Sequence, residues 1–200
     1  MVDTFMLTVM RHLPTAGNKQ KQYIGWTDEP ILDVSKASYQ LPWQPETVYC
    51  SDLLRCKQSA QLYFPNAQCI EDPRFRETNF GEWEGKTYDM LKEIKTYRQW
   101  IDDPFGNQPP KGESIQQVER RLLQALKDLP AGDNHHFIVT HGGPIRIVLT
   151  LFSPEKTDFW SWSIPHFSVW QLTWENETAF REGKRCTSIS AVPITANPTT

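Results

Sequence analysis

A short apolar run near the N-terminus ends abruptly in two polar residues, and this stretch constrains the fold most strongly. Residues 5–10 read Phe-Met-Leu-Thr-Val-Met, a pattern typical of a buried strand. Arg11 and His12 follow at once, and Pro14 and Gly17 then open a turn. In open α/β sheets, ligands bind outside the carboxyl ends of the strands. We therefore interpret His12 as a nucleophile at the carboxyl edge of a sheet, with Arg11 binding an anion beside it.

Strand-like and helix-like segments alternate along the chain, and this order predicts the architecture. Apolar runs at residues 47–50 and 137–140 are typical of buried strands, and residues 169–174 alternate like a half-buried strand. Between the first two runs, Ser114 is placed to cap a strong amphipathic helix. We expect an α/β fold, a three-layer α/β/α sandwich whose mostly parallel central sheet carries helices on both faces.

Weaker local patterns predict three further helices. A short helix is expected within residues 31–40, between two proline-containing segments. Ser51 is expected to cap a helix over residues 52–64. A helix rich in charged residues is expected over residues 87–101.

Length and composition narrow the classes of function. Two hundred residues without repeats suit a single domain over residues 1–192, followed by a disordered tail over residues 193–200. The net charge of −3 offers no basic excess for nucleic acid or an anionic membrane surface. We read no membrane span and no signal peptide, and the four cysteines lack C-x-x-C spacing. These features favour a cytoplasmic protein with reduced thiols.

Three polar groups are expected to meet at one edge of the sheet. His12 follows the first strand, Arg55 lies early in the helix after the second, and His141 follows the strand at residues 137–140. With Arg11 they would form a cationic pocket. The paired N–H donors of an arginine guanidinium match the geometry of a phosphate group, so such a pocket is suited to a phosphate. Backbone N–H groups at the start of the next helix would add to this anion site.

Such a pocket suits phosphoryl transfer, which depends mostly on positioning and on stabilising charge on the equatorial oxygens. Histidine is a competent nucleophile, and Glu77 could give the leaving alkoxide its proton, with Glu82 and Glu84 as alternatives. The arginines and a protonated His141 supply positive charge, and no ligand pair has a recognisable metal spacing. We therefore expect neither a metal nor a cofactor. His166 is interpreted as a surface or packing histidine.

These residues resemble the motifs of the histidine phosphatase, or phosphoglycerate mutase-like, superfamily, and the resemblance covers nearly the whole chain. Any one motif is weak, but six in the family's order are specific. The matching segments are Arg11-His12 with Asn18, Gly25-Trp26-Thr27-Asp28, Ser51-Asp52-Leu53-Leu54-Arg55-Cys56, the run from Glu77 to Gly85, Gly112-Glu113-Ser114, and His141-Gly142-Gly143.

The resemblance implies a role for each matched side chain. His12 is implied to be phosphorylated, and Glu77 is implied to act as general acid and then as general base. The residues expected to contact the phosphoryl group are Arg11, Asn18, Thr27, Arg55, His141 and Gly142.

One departure from the family pattern concerns the residue after the nucleophile. The family's glycine is here Leu13, followed by Pro14, which restricts the backbone and is expected to add bulk beside the pocket. Three functions therefore stay open. They are a metal-independent phosphomonoesterase, a phosphoglycerate mutase that uses the same phosphohistidine, and an inactive binding protein on the same fold.

Two features favour the phosphatase. Thr78 follows Glu77 where mutases resemble one another in having an arginine for the substrate carboxylate, and residues 100–110 contain no Lys or Arg. The run at residues 80–85 most resembles alpha-ribazole phosphatase and its broad-specificity relatives. We expect a small-molecule phosphate ester as substrate, no nucleic-acid or membrane partner, and a monomer or homodimer.

Overall fold

The elements of the fold are given by a computed structural model, which describes residues 4–32 and 37–198. The strands are β1 (Phe5–Arg11), β2 (Ala37–Gln40), β3 (Thr47–Cys50), β4 (Gln68–Glu71), β5 (His135–Thr140), β6 (Val169–Trp174), β7 (Ser188–Ala191) and β8 (Thr195–Pro198). The helices are α1 (Ala16–Lys19), α2 (Leu54–Tyr63), α3 (Tyr88–Leu91), α4 (Lys95–Asp102), α5 (Ile115–Lys127), α6 (Gly142–Phe152) and α7 (Glu177–Arg181). Short 3-10 helices lie at Pro73–Phe75, Gly81–Trp83 and Phe159–Ser161. Within these ranges, no helix has the length and apolar character needed to cross a bilayer.

Six strands form one sheet in the order β4-β3-β5-β1-β6-β7. The first four are mutually parallel, whereas β6 and β7 run antiparallel to their neighbours. The register of β1 with β5 places Arg11 opposite Thr140, and the N–H of His12 donates to the Thr140 carbonyl at 2.9 Å. The residues that follow the two strands, His12 and His141, therefore leave the sheet at the same edge.

Side chains alternate between the two faces of the sheet, and each face has its own apolar cluster. Val9 and Ile138 join the cluster that contains the buried faces of α5 and α6. Met10 and Val139 join a second cluster, which contains the buried side of α2. This arrangement confirms the expected three-layer α/β/α fold with a mostly parallel sheet.

Helix α5 forms as its sequence predicts. The Ser114 hydroxyl accepts the N–H of Gln117 at 3.2 Å, and the Gln117 side chain accepts the N–H of Ser114 at 2.7 Å. This reciprocal capping box satisfies two backbone donors that the helix itself cannot pair. Val118, Leu122 and Leu126, at helical spacing, are all buried in the core.

The predicted start of α2 is wrong. Ser51 does not cap the helix, because Leu53 occupies the N-cap position and makes no side-chain cap hydrogen bond. The Ser51 hydroxyl instead accepts the N–H of Leu53 at 3.4 Å. Asp28, 26 positions away in sequence, accepts the N–H of Leu54 at 2.8 Å. A distant carboxylate thus replaces the local cap that the sequence suggests.

Three other expectations fail, two of them because strands pair between distant segments. Within residues 31–40, the last four form strand β2 rather than a helix, and residues 33–36 lie outside the described ranges. Strand β2 pairs antiparallel with β8, so the expectation of a disordered tail over residues 193–200 is wrong for β8. The helix expected over residues 87–101 is interrupted and forms α3 and α4.

Adjacent leucines on α5 provide a test of the core. Leu122 is 2% exposed and Leu123 is 36% exposed. Leu122→Ala leaves a cavity, so we expect its free energy of unfolding in urea to fall by about 2–5 kcal/mol. The control, Leu123→Ala, should cost less than about 1 kcal/mol. Equal losses for the two variants would contradict this assignment of the buried face.

Candidate active site

The side chains that follow β1, β3 and β5 meet at the carboxyl edge of the sheet, as predicted. The ring centroids of His12 and His141 lie 5.0 Å apart, edge to face. Arg55 Nε donates to His141 Nδ1 at 3.3 Å. All three side chains are at most 3% exposed, so the charge of Arg55 acts through little solvent.

The backbone of Leu13 sets the tautomer of His12. Because a carbonyl can only accept, the 2.7 Å contact between His12 Nδ1 and the Leu13 oxygen places the proton on Nδ1. Nε2 is then left with a free lone pair. Burial, together with the charges of Arg55 and Arg11, lowers the pKa of His12 well below its ordinary value. A neutral ring with a free nitrogen is the form that a nucleophile requires.

Leu13 does not crowd the site, so that expectation is wrong. Its side chain is fully buried and packs in the apolar cluster that includes Met10 and Cys56. The N–H of Leu13 donates to Ser59 Oγ at 2.8 Å, and the Ser59 hydroxyl donates to the Arg55 carbonyl at 2.6 Å. The larger residue is accommodated because its side chain points into the core.

Arg55 holds the loop at residues 25–28 against the site. Its Nη1 donates to the Thr27 carbonyl at 2.8 Å, and its Nη2 donates to the Gly25 carbonyl at 2.6 Å. The Glu84 carboxylate fixes the other side of this loop, accepting the N–H groups of Gly25 at 3.1 Å and Thr27 at 3.2 Å. The Thr27 hydroxyl also donates to Glu84, at 2.7 Å. Thr27 therefore positions Arg55 through its carbonyl, and its phosphate contact stays a prediction.

Glu77 is the acidic residue that lines the cleft beside Arg11. Its Oε1 accepts the N–H of Thr78 at 2.9 Å, and its Oε2 accepts the N–H of Gly143 at 3.0 Å. A Cβ at Gly143 would lie 2.1 Å from Glu77 Oε1, so the close approach requires glycine there. The N–H of Gly143, expected to face the anion, holds the carboxylate instead.

The alternative acids are engaged elsewhere. Glu82 pairs with Lys111 at 2.8 Å on the surface. Glu84 accepts hydrogen bonds from the loop that supports Arg55. Neither lines the cleft that contains Glu77.

Arg11 lines the same cleft. Its Nη1 donates to the Ile164 carbonyl, and its Nε is buried without a hydrogen-bond partner in the described part of the chain. Gly142 borders it, since a Cβ there would lie 3.5 Å from Arg11 Cζ. Burial lowers the pKa of Arg11, while the charge of Glu77 opposes that shift. An orphaned cationic donor of this kind fits an anion.

His141 is neutral, and the expectation of a protonated ring is wrong. Its Nδ1 accepts a hydrogen bond from Arg55, which leaves that nitrogen unprotonated. Burial is the largest cause that lowers the pKa of His141 well below its ordinary value, followed by the charge of Arg55. Cys56 Sγ lies 3.3 Å from Nε2, so both ring nitrogens have partners.

Asn18 has a local structural role. Its side-chain oxygen accepts the N–H of Thr15 at 3.2 Å, and its own N–H donates to Thr15 Oγ1 at 3.3 Å. These bonds form the capping box of α1. A phosphate contact from Asn18 stays a prediction.

Two residues at the site were not identified from sequence. His166 Nδ1 donates to the His12 carbonyl at 3.2 Å, and its ring centroid lies 5.5 Å from that of His12. The packing role expected for His166 is thus confirmed, and the residue also hydrogen-bonds the backbone of His12. Arg146, on α6, lines the cleft with Glu77. Arg146 could have been found from the sequence, because it is the single charged residue of an apolar helix.

Aromatic side chains line the outer part of the cleft. They are Tyr23, Phe80, Trp100, Phe159 and Trp160. Across residues 4–32 and 37–198, no three His, Cys, Asp or Glu side chains are grouped in a way that could hold a metal ion.

Sequence comparison identifies the family of the chain. The profile of the histidine phosphatase superfamily (branch 1) matches residues 7–183. The chain therefore belongs to this superfamily of enzymes, as its motifs predicted.

Individual relatives carry different names. A probable phosphoglycerate mutase GpmB from Yersinia enterocolitica is 30% identical over 163 residues, covering 75% of this chain and 74% of the relative. A 2,3-bisphosphoglycerate-dependent phosphoglycerate mutase 2 from Gloeobacter violaceus is 29% identical, covering 76% and 79%. The crystal structure of a putative alpha-ribazole-5'-P phosphatase from Escherichia coli superposes with a TM-score of 0.75 over 98% of both chains. At 17% identity, this last likeness is one of fold.

Protonation of buried and partly buried histidines should make stability depend on pH. Burial is the largest cause that lowers the pKa of His12, His135, His136, His141 and His166, and the values for His135 and His166 are about 4. Unfolded histidines titrate near pH ~6.5, so below that pH the unfolded chain binds protons that the folded chain excludes. The free energy of unfolding should be level above this pH and fall as the pH drops toward about 4.

Urea unfolding at pH 7, 6 and 5 measures this dependence. His135→Gln removes one such group, so its stability should fall less steeply with pH than that of the wild type. A wild-type stability that is constant from pH 7 to 5 would contradict the buried, neutral histidines.

Proposed function

We propose that the protein is a metal-independent phosphomonoesterase that acts through a phosphohistidine at His12. The observation that carries this proposal is the hydrogen bond from His12 Nδ1 to the Leu13 carbonyl, which leaves Nε2 free. The charges of the buried Arg55 and the partly buried Arg11 act on the same ring. Glu77 stands in the adjoining cleft, where a proton donor for the leaving group is needed.

The first chemical step forms the phosphoenzyme. His12 Nε2 attacks phosphorus, and the bond from phosphorus to the ester oxygen breaks as protonated Glu77 gives that oxygen its proton. Arg11 and Arg55 stabilise the charge on the equatorial oxygens. His141, which Arg55 holds, packs edge to face against His12 and so helps to position the nucleophile.

The second step returns the enzyme to its starting state. The Glu77 carboxylate takes a proton from a water molecule whose oxygen attacks phosphorus, and the bond to His12 Nε2 breaks. Inorganic phosphate leaves, and Glu77 is again protonated for the next ester.

A phosphoglycerate mutase is the second candidate, because two relatives with substantial coverage carry that name. A mutase must exclude water and hold the intermediate while it reorients. Thr78 stands where the mutase resemblance calls for an arginine, and residues 100–110 carry no cation. These features favour transfer of the phosphoryl group from His12 to water, which is hydrolysis.

Hydrolysis is tested by incubating the enzyme with simple phosphate esters in the presence of a chelator. We expect free phosphate, no stimulation by 2,3-bisphosphoglycerate, and an acid-labile, alkali-stable phosphoryl group on the enzyme. His12→Asn should abolish both turnover and labelling, because no nucleophile remains. An exposed-site control, Arg120→Met, should retain both activities.

Other outcomes would assign the protein differently. Rapid interconversion of 3- and 2-phosphoglycerate with negligible phosphate release would make it a mutase. Activity lost in chelator and restored by zinc or magnesium would contradict the metal-independent mechanism. Absence of any labelling or turnover would favour an inactive binding protein.

The role of Glu77 can be tested with leaving groups of different basicity. Glu77→Gln cannot donate a proton, so we expect a loss of about 10²-fold or more with alkyl phosphates. The loss should be much smaller with p-nitrophenyl phosphate, whose leaving group needs little protonation. Gly143→Ala should give the same pattern, because its Cβ would displace the Glu77 carboxylate. Equal losses on both substrates would assign the acid role to another residue.

A further inference from the structure

The peptide group between His12 and Leu13 is hydrogen-bonded at both of its polar ends. Its carbonyl accepts a hydrogen bond from His166 Nδ1 at 3.2 Å. Its N–H donates to Ser59 Oγ at 2.8 Å. Because a carbonyl can only accept, the proton of the His166 ring lies on Nδ1. Two side chains from distant parts of the sequence thus fix the plane of this one peptide group.

The orientation of this peptide group determines where the next carbonyl lies. That carbonyl belongs to Leu13 and accepts the proton of His12 Nδ1 at 2.7 Å. The Leu13 side chain is fully buried, so the residue has little freedom to compensate for a rotation of the peptide before it. Such a rotation would move the Leu13 carbonyl away from Nδ1, and the contact that keeps His12 Nε2 unprotonated would be lost.

The turn that carries His166 has a strained backbone. The φ angle of Phe167 is +67°, in the left-handed region that a bulky side chain rarely adopts. The residues on either side of Phe167 both bond to the segment at the end of β1. His166 donates to the His12 carbonyl, and the Ser168 carbonyl accepts the backbone N–H of Arg11 at 2.9 Å. Strain of this kind persists where surrounding contacts impose it, and it is concentrated at functional sites.

His166 acts on the site through a hydrogen bond and through packing. Burial, followed by the charge of Arg11, lowers the pKa of His166 to about 4, so its ring is neutral near pH 7. The ring packs edge to face against that of His12, with centroids 5.5 Å apart. A neutral ring adds no cation for an anionic substrate, so the influence of His166 on the reaction has to pass through His12.

We propose that His166 is a positioning residue for the nucleophile. Its hydrogen bond to the His12 carbonyl fixes the peptide group before Leu13, and the Leu13 carbonyl then holds the proton of His12 on Nδ1 and leaves Nε2 free. The role of Nε2 as the attacking atom rests on the proposed function. The orienting contact is a property of the folded protein, so the two can be tested separately.

Three substitutions at His166 separate its hydrogen bond from its bulk. His166→Asn keeps an N–H donor the same number of bonds from the backbone as Nδ1. His166→Leu keeps the bulk without a donor, and His166→Ala removes both. The matched control is His135→Ala, because His135 is also half-buried and lies at the other end of β5 from His141.

The tautomer of His12 is the first measurement, read from the ¹⁵N chemical shifts of its ring at pH 7. The His12 signals are identified by their absence from His12→Asn. Wild type, His166→Asn and His135→Ala should show the Nδ1–H tautomer alone, whereas His166→Leu and His166→Ala should show a mixture of both tautomers. A merely structural role would lower the melting temperature and leave the tautomer unchanged.

The rate of His12 phosphorylation is the second measurement, made in a single turnover with p-nitrophenyl phosphate. A misdirected Nε2 should slow labelling by roughly 10- to 100-fold in His166→Leu and His166→Ala. His166→Asn should restore most of this loss. Inhibition by inorganic phosphate should stay close to that of the wild type in all variants, because the side chains of Arg11 and Arg55 remain.

The outcomes separate this proposal from the proposed function. A pure Nδ1–H tautomer together with wild-type labelling in His166→Leu and His166→Ala would overturn the role of His166 and leave the phosphatase intact. Failure of His166→Asn to restore what His166→Leu loses would also overturn it. Absence of labelling in the wild type would contradict the proposed function, and the His12 tautomer would still decide whether His166 orients the ring.

Discussion

The site depends on one buried guanidinium, that of Arg55. A charge withdrawn from water costs several kcal/mol unless hydrogen bonds replace its hydration. Arg55 obtains these bonds from the carbonyls of Gly25 and Thr27 and from His141, so a loop, a helix and a strand end converge on one point. Within the described part of the chain, none of its partners is a carboxylate, and its positive charge therefore remains available to an anion.

The centre of the site could be predicted because it follows from strand order. His12, Arg55 and His141 each come directly after a strand or at the start of the next helix, and parallel neighbours bring such positions together. The family motifs then supplied Glu77, which no local pattern distinguishes from its acidic neighbours. Sequence could show which residues meet, but not which hydrogen bonds set their protonation, and the neutral state of His141 was missed for that reason.

The parts that sequence did not predict depend on contacts between distant segments. Arg146 faces the cleft because Trp162 and its neighbouring rings fold back over α6. His166 reaches the His12 backbone across more than 150 residues of chain. Asp28 likewise supplies the hydrogen bond at the start of α2 that Ser51 was expected to provide. In each case the local pattern is compatible with several environments, and the tertiary fold selects one.

Leu13 connects the interior of the protein to its chemistry. The same residue fills the core with its side chain and fixes the proton of His12 with its carbonyl. A change in that packing would move the carbonyl and so alter the hydrogen bond that keeps Nε2 free. Selection on substitutions in this part of the core would therefore act through the reactivity of His12 as well as through folding. Homologous chains should repack this region only through coordinated changes that return the Leu13 carbonyl to its place.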